Sequence, residues 1–424
     1  MPNVFDEFRW RGMIHDATDG LEDLLARDCV TAYIGFDPTA PSLHVGNLLT
    51  MIGLARLQRG GHRPIAIVGG GTGMIGDPSG KSQERALLTG DEVEANVAGI
   101  RAQLSRVLDF DRSANPAQIV NNAEWLGTID LLTFLRDAGK HFTVNSMLQK
   151  ESVSRRLESE EGISYTEFSY LLLQAYDFLQ LFDRYGCVLQ MGGSDQWGNI
   201  TAGIDLVRKV RGKKVHGLVW PLMTTASGAK FGKTEAGAVW LDPNRTSPFK
   251  FYQFWLNTAD RDAMPYVKVF TFLDRARIEE LAAAQREAPE KREAQRVLAR
   301  EVTTLVHGPE HVERAEQASR VLFGEDMSRL TVDEVLSVFE DVPSTELPHA
   351  AFAADGIALT DLLAEIRLAP SKSEARRLLQ SGGVYVNNRR AADPLMRLTI
   401  DQAIDGKIFV LRKGQRQNHI IKVG

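Results

Sequence analysis

The chain has 424 residues, 43% hydrophobic and 25% charged, with a formal net charge of −5. That is the make-up of an ordinary globular protein of two or three domains with substantial cores. Cys29 and Cys187 are the only cysteines, which excludes a disulfide framework or a four-thiolate zinc site and fits a reducing cytoplasm. No run reaches the ~18 apolar residues of a membrane helix, and MPNVFDEFRW carries early acids rather than an apolar leader, so neither membrane nor export is expected. Residues 357–424 hold 12 Lys/Arg against 6 Asp/Glu, a balance of +6 that leaves −11 for residues 1–356. A basic tail on an acidic body points to nucleic-acid contact, the plainer reading being a solvated basic face.

In chain order, Ala32–Phe36 reads as a strand that breaks at Asp37-Pro38. A loop then leads to a helix over Val45–Leu57, where Leu48, Ile52 and Ala55 recur at helical spacing and Gly60-Gly61 ends it. A strand, turn and helix N-terminus present backbone N–H groups to phosphates. Asp37, Thr39, His44, Gly46 and Asn47 lie in that turn. His44 suits a phosphate oxygen and Gly46 the flat approach of a base, or the pair is a loop histidine beside a helix-start glycine. Arg63–Gly70 reads as a buried parallel strand. Gly71–Gly76 then matches GxGxxG with Glu94 downstream, but the turn Asp77-Pro78-Ser79-Gly80 blocks the helix a dinucleotide site needs. Gly76–Ser82 resembles a phosphate loop but has three residues between its glycines where four are required. A glycine loop remains, carrying Asp77, Lys81 and Arg85 at the ligand-binding edge of a sheet.

Ala117–Asn121 is a short strand ending at Asn122, Glu124 and Trp125, and Lys140–Arg156 reads as a basic surface connection. Phe168–Phe182 is a helix apolar nearly all round, yet Tyr170, Gln174 and Asp177 stand at i, i+4 and i+7. Buried polar groups are costly unless paired, so this stripe faces something polar, or is the wet side of an amphipathic helix. Cys187–Met191 is a strand running into GGSDQWGN, where Asp195 either caps the helix from Trp197 or accepts ribose hydroxyls. Leu218–Thr225 leads to a glycine-punctuated loop holding Lys230 and Lys233. Beyond Pro248, amphipathic helices such as Pro289–His307 make an all-α region over 246–324. Residues 325–353 hold one helix, with a Thr331–Glu334 capping box, and the Pro343–Pro348 stretch, read as a linker. The last part, 354–424, is a small α+β module. It has a helix over Thr360–Leu368, a second capped at Ser371, the turn Asn387-Asn388, and strands over Lys407–Leu411 and His419–Val423. Lys372, Arg376, Arg377, Arg389 and Arg390 fall on or near one of its surfaces.

HVGN, GGSDQWGN and KFGKT occur in the order of the class I aminoacyl-tRNA synthetases. Together with YIGFDPTAPSLHVGN, GGGTGMIGDPSGK, YLLLQAYD and MGGSDQWGN, they make the chain resemble the bacterial tyrosyl-tRNA synthetase family over its whole length. The C-terminal part resembles the RNA-binding module of a ribosomal small-subunit protein. Two departures from the class patterns are Asn47 in place of the second histidine and Lys230-Phe231-Gly232-Lys233-Thr234 in place of Lys-Met-Ser-Lys-Ser. The resemblance implies a Rossmann-like parallel-sheet α/β catalytic domain over 1–245, followed by the helical domain and the RNA-binding module. It implies activation of L-tyrosine by ATP, travelling with Mg2+ and with no resident metal, followed by transfer to tRNA(Tyr), by a homodimer. Thr39, His44, Lys230, Lys233 and Thr234 would hold the β/γ-phosphates. Asp37, Gly46, Asn47, Gly193, Asp195, Gln196 and Lys233 would meet ATP. Tyr170, Gln174 and Asp77 would meet the ammonium group of tyrosine, and Asp177 and Tyr33 its phenol, with Gln190 in the same pocket. Lys150, Arg208 and Lys209, with the C-terminal Lys372, Arg376, Arg377 and Arg389, would contact tRNA. Alternatives are a tryptophanyl-type synthetase, a small-acid nucleotidyltransferase, or a non-catalytic RNA-binding relative.

Overall fold

The computed structural model describes residues 3–79, 88–111, 114–158, 162–225, 228, 231–234, 237–322, 327, 330–339, 342–352, 355–414 and 417–424, with backbone alone at 151, 152, 155, 233, 234, 322 and 337. The chain folds as two compact units, Met1–Thr246 with Trp255–Val306, and Ser247–Phe254 with His307–Gly424. The helical stretch 246–324 is thus divided between them.

The first unit is built on six strands: β1 (Asp16–Ala17), β2 (Thr31–Phe36), β3 (Arg63–Val68), β4 (Gln118–Asn121), β5 (Leu189–Gly193) and β6 (His216–Trp220), in the order β1-β6-β5-β2-β3-β4. Strands β2 to β6 pair in parallel, and β1 runs antiparallel at the edge. β3 reads RPIAIV and is buried from its second residue on, as expected of a parallel strand covered on both faces. From β2 the sheet grows through β3 and β4 on one side and β5 and β6 on the other. The carboxyl ends of β2 and β5 therefore open the switch-point crevice where such sheets bind ligands. The helix after β2 spans Val45–Arg59. Its Gly53 is required, because a Cβ there would overlap the buried Trp220 ring.

The helix expected at 168–182 runs from Tyr165 to Tyr185, capped by Ser164 and ended by Gly186 in the left-handed region. Its Leu171, Leu172, Phe178 and Leu181 pack with Tyr33, Ile67, Trp125 and Leu206 in one core, each large side chain contributing about 1.5–3 kcal/mol. The glycine loop after β3 holds a short 3-10 turn, Thr72–Met74, and among the described residues the next α-helix starts at Gly90, so no helix opens at the glycines as a dinucleotide fingerprint requires. The 140–156 segment is not wholly a surface connection. Arg156 is 3% exposed and bonds Glu167, itself 2% exposed, at 2.8 Å, because a guanidinium buried there needs a carboxylate. Main-chain carbonyls at and just past the C-terminal end of the Asp260–Phe270 helix are taken by two buried arginines: Lys268 and Leu273 accept from Arg11 at 2.6 Å each, and Val269 accepts from Arg56 at 3.0 Å.

In the second unit, helices Leu359–Glu365 and Lys372–Gln380 cover one face of a five-stranded sheet, through Leu362, Leu363, Ala375 and Leu379 against Val384, Val386, Phe409 and Ile421. On the other face Ile408, Val410 and Ile420 pack with Val321, Val335 and Phe339, from helices Pro309–Leu322 and Val332–Val338 and the turn after the latter. The Thr331–Glu334 capping box is present. Ser344–Leu347, expected within a linker, instead forms an edge strand parallel to Gln417–Val423. Its apolar residues are few, so only the free edge of the neighbouring strand identifies it. Asn387 and Asn388 both take positive φ, 49° and 62°, the two-residue turn that joins Val384–Val386 to Arg389–Ala391.

Candidate functional site

A cavity of about 560 Å3 opens at the carboxyl ends of β2 and β5. At its mouth His44 caps the Val45–Arg59 helix. The Gly46 amide donates to His44 Nδ1 at 3.0 Å, and the His44 amide to Asn47 Oδ1 at 3.1 Å. With Nδ1 accepting, the proton of the neutral ring sits on Nε2 and makes that atom a donor. Asn47 is therefore at least half a structural residue, closing the capping box. The KFGKT segment meets this turn directly. Gly232, at φ +84°, packs so closely on Val45 and the Gly46 amide that a side chain would collide with them. Phe231 is 8% exposed, stacked on Phe270 at 5.1 Å and edge-on to Tyr266 at 4.9 Å, so the glycine-punctuated loop is seated at this residue. Lys233 and Thr234 form a two-residue strand with Gly237–Ala238. Their side chains, and all of Lys81, Arg85 and Lys230, lie outside the described residues.

The inner end is a continuous polar network. Tyr170 donates to Asp37 Oδ2 at 2.7 Å, and Thr72 to Asp37 Oδ1 at 2.8 Å. Asn122 donates to Thr72 and to Asp177 Oδ2, both at 2.9 Å, while Trp125 Nε1 donates to Asp177 Oδ1 at 2.7 Å. Burial drives the Asp177 carboxyl up to about 7, even though the Asn122 and Trp125 hydrogen bonds hold it down. Burial, and then the Asp177 charge, push the Tyr33 phenol well above its ordinary value. Tyr33 is 1% exposed and edge-on to Phe178, and its hydroxyl has no partner among the described residues. The buried Gln190 Oε1 likewise has none. Asp77 accepts from Gln196 at 2.7 Å and from the Ser79 amide at 2.9 Å. Gln174 donates to Gln196 at 3.2 Å and accepts from Asn199 at 2.9 Å.

The cavity thus brings together Tyr33, Asp37, Thr39, His44, Gly46, Asn47, Asp77, Tyr170, Gln174, Asp177, Gln190, Gly193, Asp195 and Gln196 from four separated segments. Asp37, expected toward ATP, is committed to Tyr170 and Thr72. The capping alternative for Asp195 fails: a 3-10 turn over Ser194–Gln196 comes first, and the following helix has Gln196 at its N-cap with no side-chain cap. Sequence reasoning missed Thr72, Ser79 and Asn199 and gave Asn122 and Trp125 no role, although both were flagged at a strand's carboxyl end. Away from the cavity, Lys150 bonds Thr201 at 3.1 Å, Lys209 bonds the His141 carbonyl at 2.8 Å and Arg208 pairs with Asp205 at 3.0 Å. In the second unit Arg376 and Arg389 are exposed, Lys372 pairs with Asp361 at 3.0 Å and Arg377 with Glu374 at 3.8 Å.

Residues 26–324 match the tRNA synthetases class I (W and Y), and residues 334–421 match the tyrosine–tRNA ligase SYY-like C-terminal domain. The chain is 56% identical over 423 residues to a tyrosine–tRNA ligase of Roseiflexus castenholzii, spanning all of both chains. It is 52% identical over 425 residues to that of Geobacillus kaustophilus, 99% of each. The structure of a C-terminally truncated mitochondrial tyrosyl-tRNA synthetase from Aspergillus nidulans matches with a TM-score of 0.70 at 32% identity, over 76% of this chain and 95% of that one. The chain belongs to the class I tRNA synthetases, in their tyrosine–tRNA ligase branch.

Proposed function

We propose that this ligase joins L-tyrosine to ATP as tyrosyl-adenylate, releasing pyrophosphate, and passes the tyrosyl group to the 3′-terminal adenosine of tRNA(Tyr). The observation that carries the reading is the inner end of the cavity, where the Tyr33 hydroxyl, without a partner among the described residues, lies close enough to the Asp177 carboxylate to feel its charge. A phenol is the ligand that supplies both a donor for Asp177 and a partner for Tyr33. An indole offers one donor and no acceptor, and phenylalanine neither. Asp77, Tyr170 and Gln174, with Gln190 beside them, meet the α-ammonium group, which needs acceptors and negative charge.

The chemistry is attack of the tyrosine carboxylate on the α-phosphorus, with the bond to the bridging oxygen of pyrophosphate breaking. It needs positioning and charge neutralisation rather than a protein nucleophile. His44 Nε2–H, Thr39 and the Lys230, Lys233 and Thr234 side chains stabilise charge as it moves onto pyrophosphate. Gly46, Gly193, Asn47 and Asp195 hold adenosine, and magnesium enters as part of the ATP substrate. Residues 354–424 bind tRNA, supported by the +6 charge balance of 357–424 within them, while Lys150, Arg208 and Lys209 hold the acceptor end. The enzyme works as a homodimer. Leu131, Leu132, Val144 and Tyr165 are 60–77% exposed on three helices of the 131–185 stretch, apolar surface that a second copy would cover. Both cysteines are free, which supports a cytoplasmic setting. Pyrophosphate exchange into ATP, run with each of the twenty amino acids, tests the reading. Exchange with tyrosine alone is expected, and exchange with tryptophan instead overturns it.

A further inference from the structure

The C-terminal sheet places four polar residues in one cross-strand row. Tyr385 is the register partner of Arg390 on one side and of Arg412 on the other, and Arg412 is that of Asn418, so all four share a face. Two residues along the same strands, Val410 and Ile420 are covered by the apolar cluster with Val321 and Phe339. The row lies past that cover: Arg390 is exposed, and Tyr385, Arg412 and Asn418 are half-buried.

Both guanidiniums are pinned by backbone carbonyls at glycine turns. Arg390 donates to the Gly382 carbonyl at 3.2 Å and the Ser381 carbonyl at 3.1 Å. Gly382 has φ +69°, and any Cβ there would overlap the Arg390 guanidinium, so this turn admits the arginine only as glycine. Arg412 donates to the Gly414 carbonyl at 2.9 Å and lies 3.9 Å over the Tyr385 ring. Its buried Nε has no partner among the described residues. Among the described residues neither arginine has a carboxylate partner, whereas Lys372 and Arg377 on the neighbouring helix do. Two ordered, uncompensated forks flanking an aromatic ring suit a ligand that offers both negative charge and a flat face. Fixed guanidiniums lose little rotamer freedom on binding, and stacking on an aromatic or an arginine plane is how unpaired nucleotides are held. A paired duplex has no base face to give.

We propose that the Arg390–Tyr385–Arg412 row seats one unpaired nucleotide of the tRNA, with its base on the Tyr385–Arg412 stack and its phosphate across the two guanidiniums. This rests on the reading of residues 354–424 as a tRNA-binding module. The test measures affinity of the full-length enzyme for transcribed tRNA(Tyr) across a salt series, with thermal melts to verify folding. Tyr385→Leu is expected to weaken binding on the order of tenfold, the effect of losing one stacked base, while Tyr385→Phe binds like the parent. Arg412→Gln is expected to lower the salt slope by about 0.7–0.9, one phosphate contact. Pyrophosphate exchange stays unchanged in all three. If Tyr385→Leu and Arg412→Gln both bind as the parent does, the seat does not exist. A combined Lys372→Ala, Arg376→Ala, Arg377→Ala variant separates the two readings. Should it lose tRNA while Tyr385→Leu and Arg412→Gln do not, only the seat falls; should it too bind normally, the module reading falls with it.

Discussion

Removing the Tyr33 hydroxyl moves stability and specificity in opposite directions. In the free protein that hydroxyl is buried, on a residue 1% exposed, with no hydrogen-bond partner among the described residues. An unpaired buried hydroxyl costs about 1–3 kcal/mol, so Tyr33→Phe is expected to raise the unfolding free energy of the tyrosine-free enzyme by about 1 kcal/mol. In the complex proposed above, the same hydroxyl would meet the substrate phenol. A neutral hydrogen bond is worth about 0.5–1.5 kcal/mol, so kcat/KM for tyrosine falls about two- to twelvefold while that for phenylalanine barely changes. Tyrosyl-tRNA synthetases are already known to reject phenylalanine by about 10⁵ without editing, so on the proposed reading Asp177 and its donors would supply most of the discrimination. The assays are urea unfolding of the tyrosine-free enzyme and pyrophosphate exchange with both amino acids. An unchanged tyrosine/phenylalanine ratio, or a loss of stability above about 1 kcal/mol, would refute the reasoning.

The Asp177 carboxyl titrates at about 7 when folded, against 3.8 for the free side chain, so the folded state holds an extra proton between those values and its stability falls as pH rises through that window. Asn122→Ala removes a donor that favours the ionised form. The midpoint of the kcat/KM profile for tyrosine should therefore move upward, with a roughly ten- to hundredfold loss at pH 7; an unmoved midpoint in a pH 5.5–9 series contradicts this. Lys233→Ala should cut the adenylation rate by orders of magnitude with little change in the KM for ATP, and a raised KM with kcat intact would make the loop a simple binding clamp. A cut near residue 341 leaves the first unit whole, so tyrosine-dependent exchange persists while tRNA charging collapses. It also strips Ile408, Val410 and Ile420 from Val335 and Phe339, so dye binding to exposed apolar surface rises; loss of exchange in a still-folded product would show that the units depend on each other.

By itself, the sequence determined whatever depends on local pattern and turn chemistry. The β2–turn–helix unit, the polar stripe Tyr170–Gln174–Asp177, the Asn387-Asn388 turn and the Thr331–Glu334 cap are each written in neighbouring residues, and the structure has them there. Asp77-Pro78-Ser79-Gly80 rules out a dinucleotide helix for the same reason: it acts within one turn. The tertiary structure alone decided which side chains share a hydrogen bond across 50 or more residues. Nothing near Asn122 in the chain announces that it bonds Asp177, 55 residues away, and Thr72, 50 away. Nor does anything mark Phe231 as an anchor until Phe270 and Tyr266 are brought against it. The same holds for Arg156, whose surroundings look basic and exposed until Glu167 is packed onto it. The Ser344–Leu347 strand has too little apolar character to be recognised without the edge it completes. Periodicity records which face of an element is buried, but the identity of the partner on that face is set by the closing of the chain, through packing that no single segment contains.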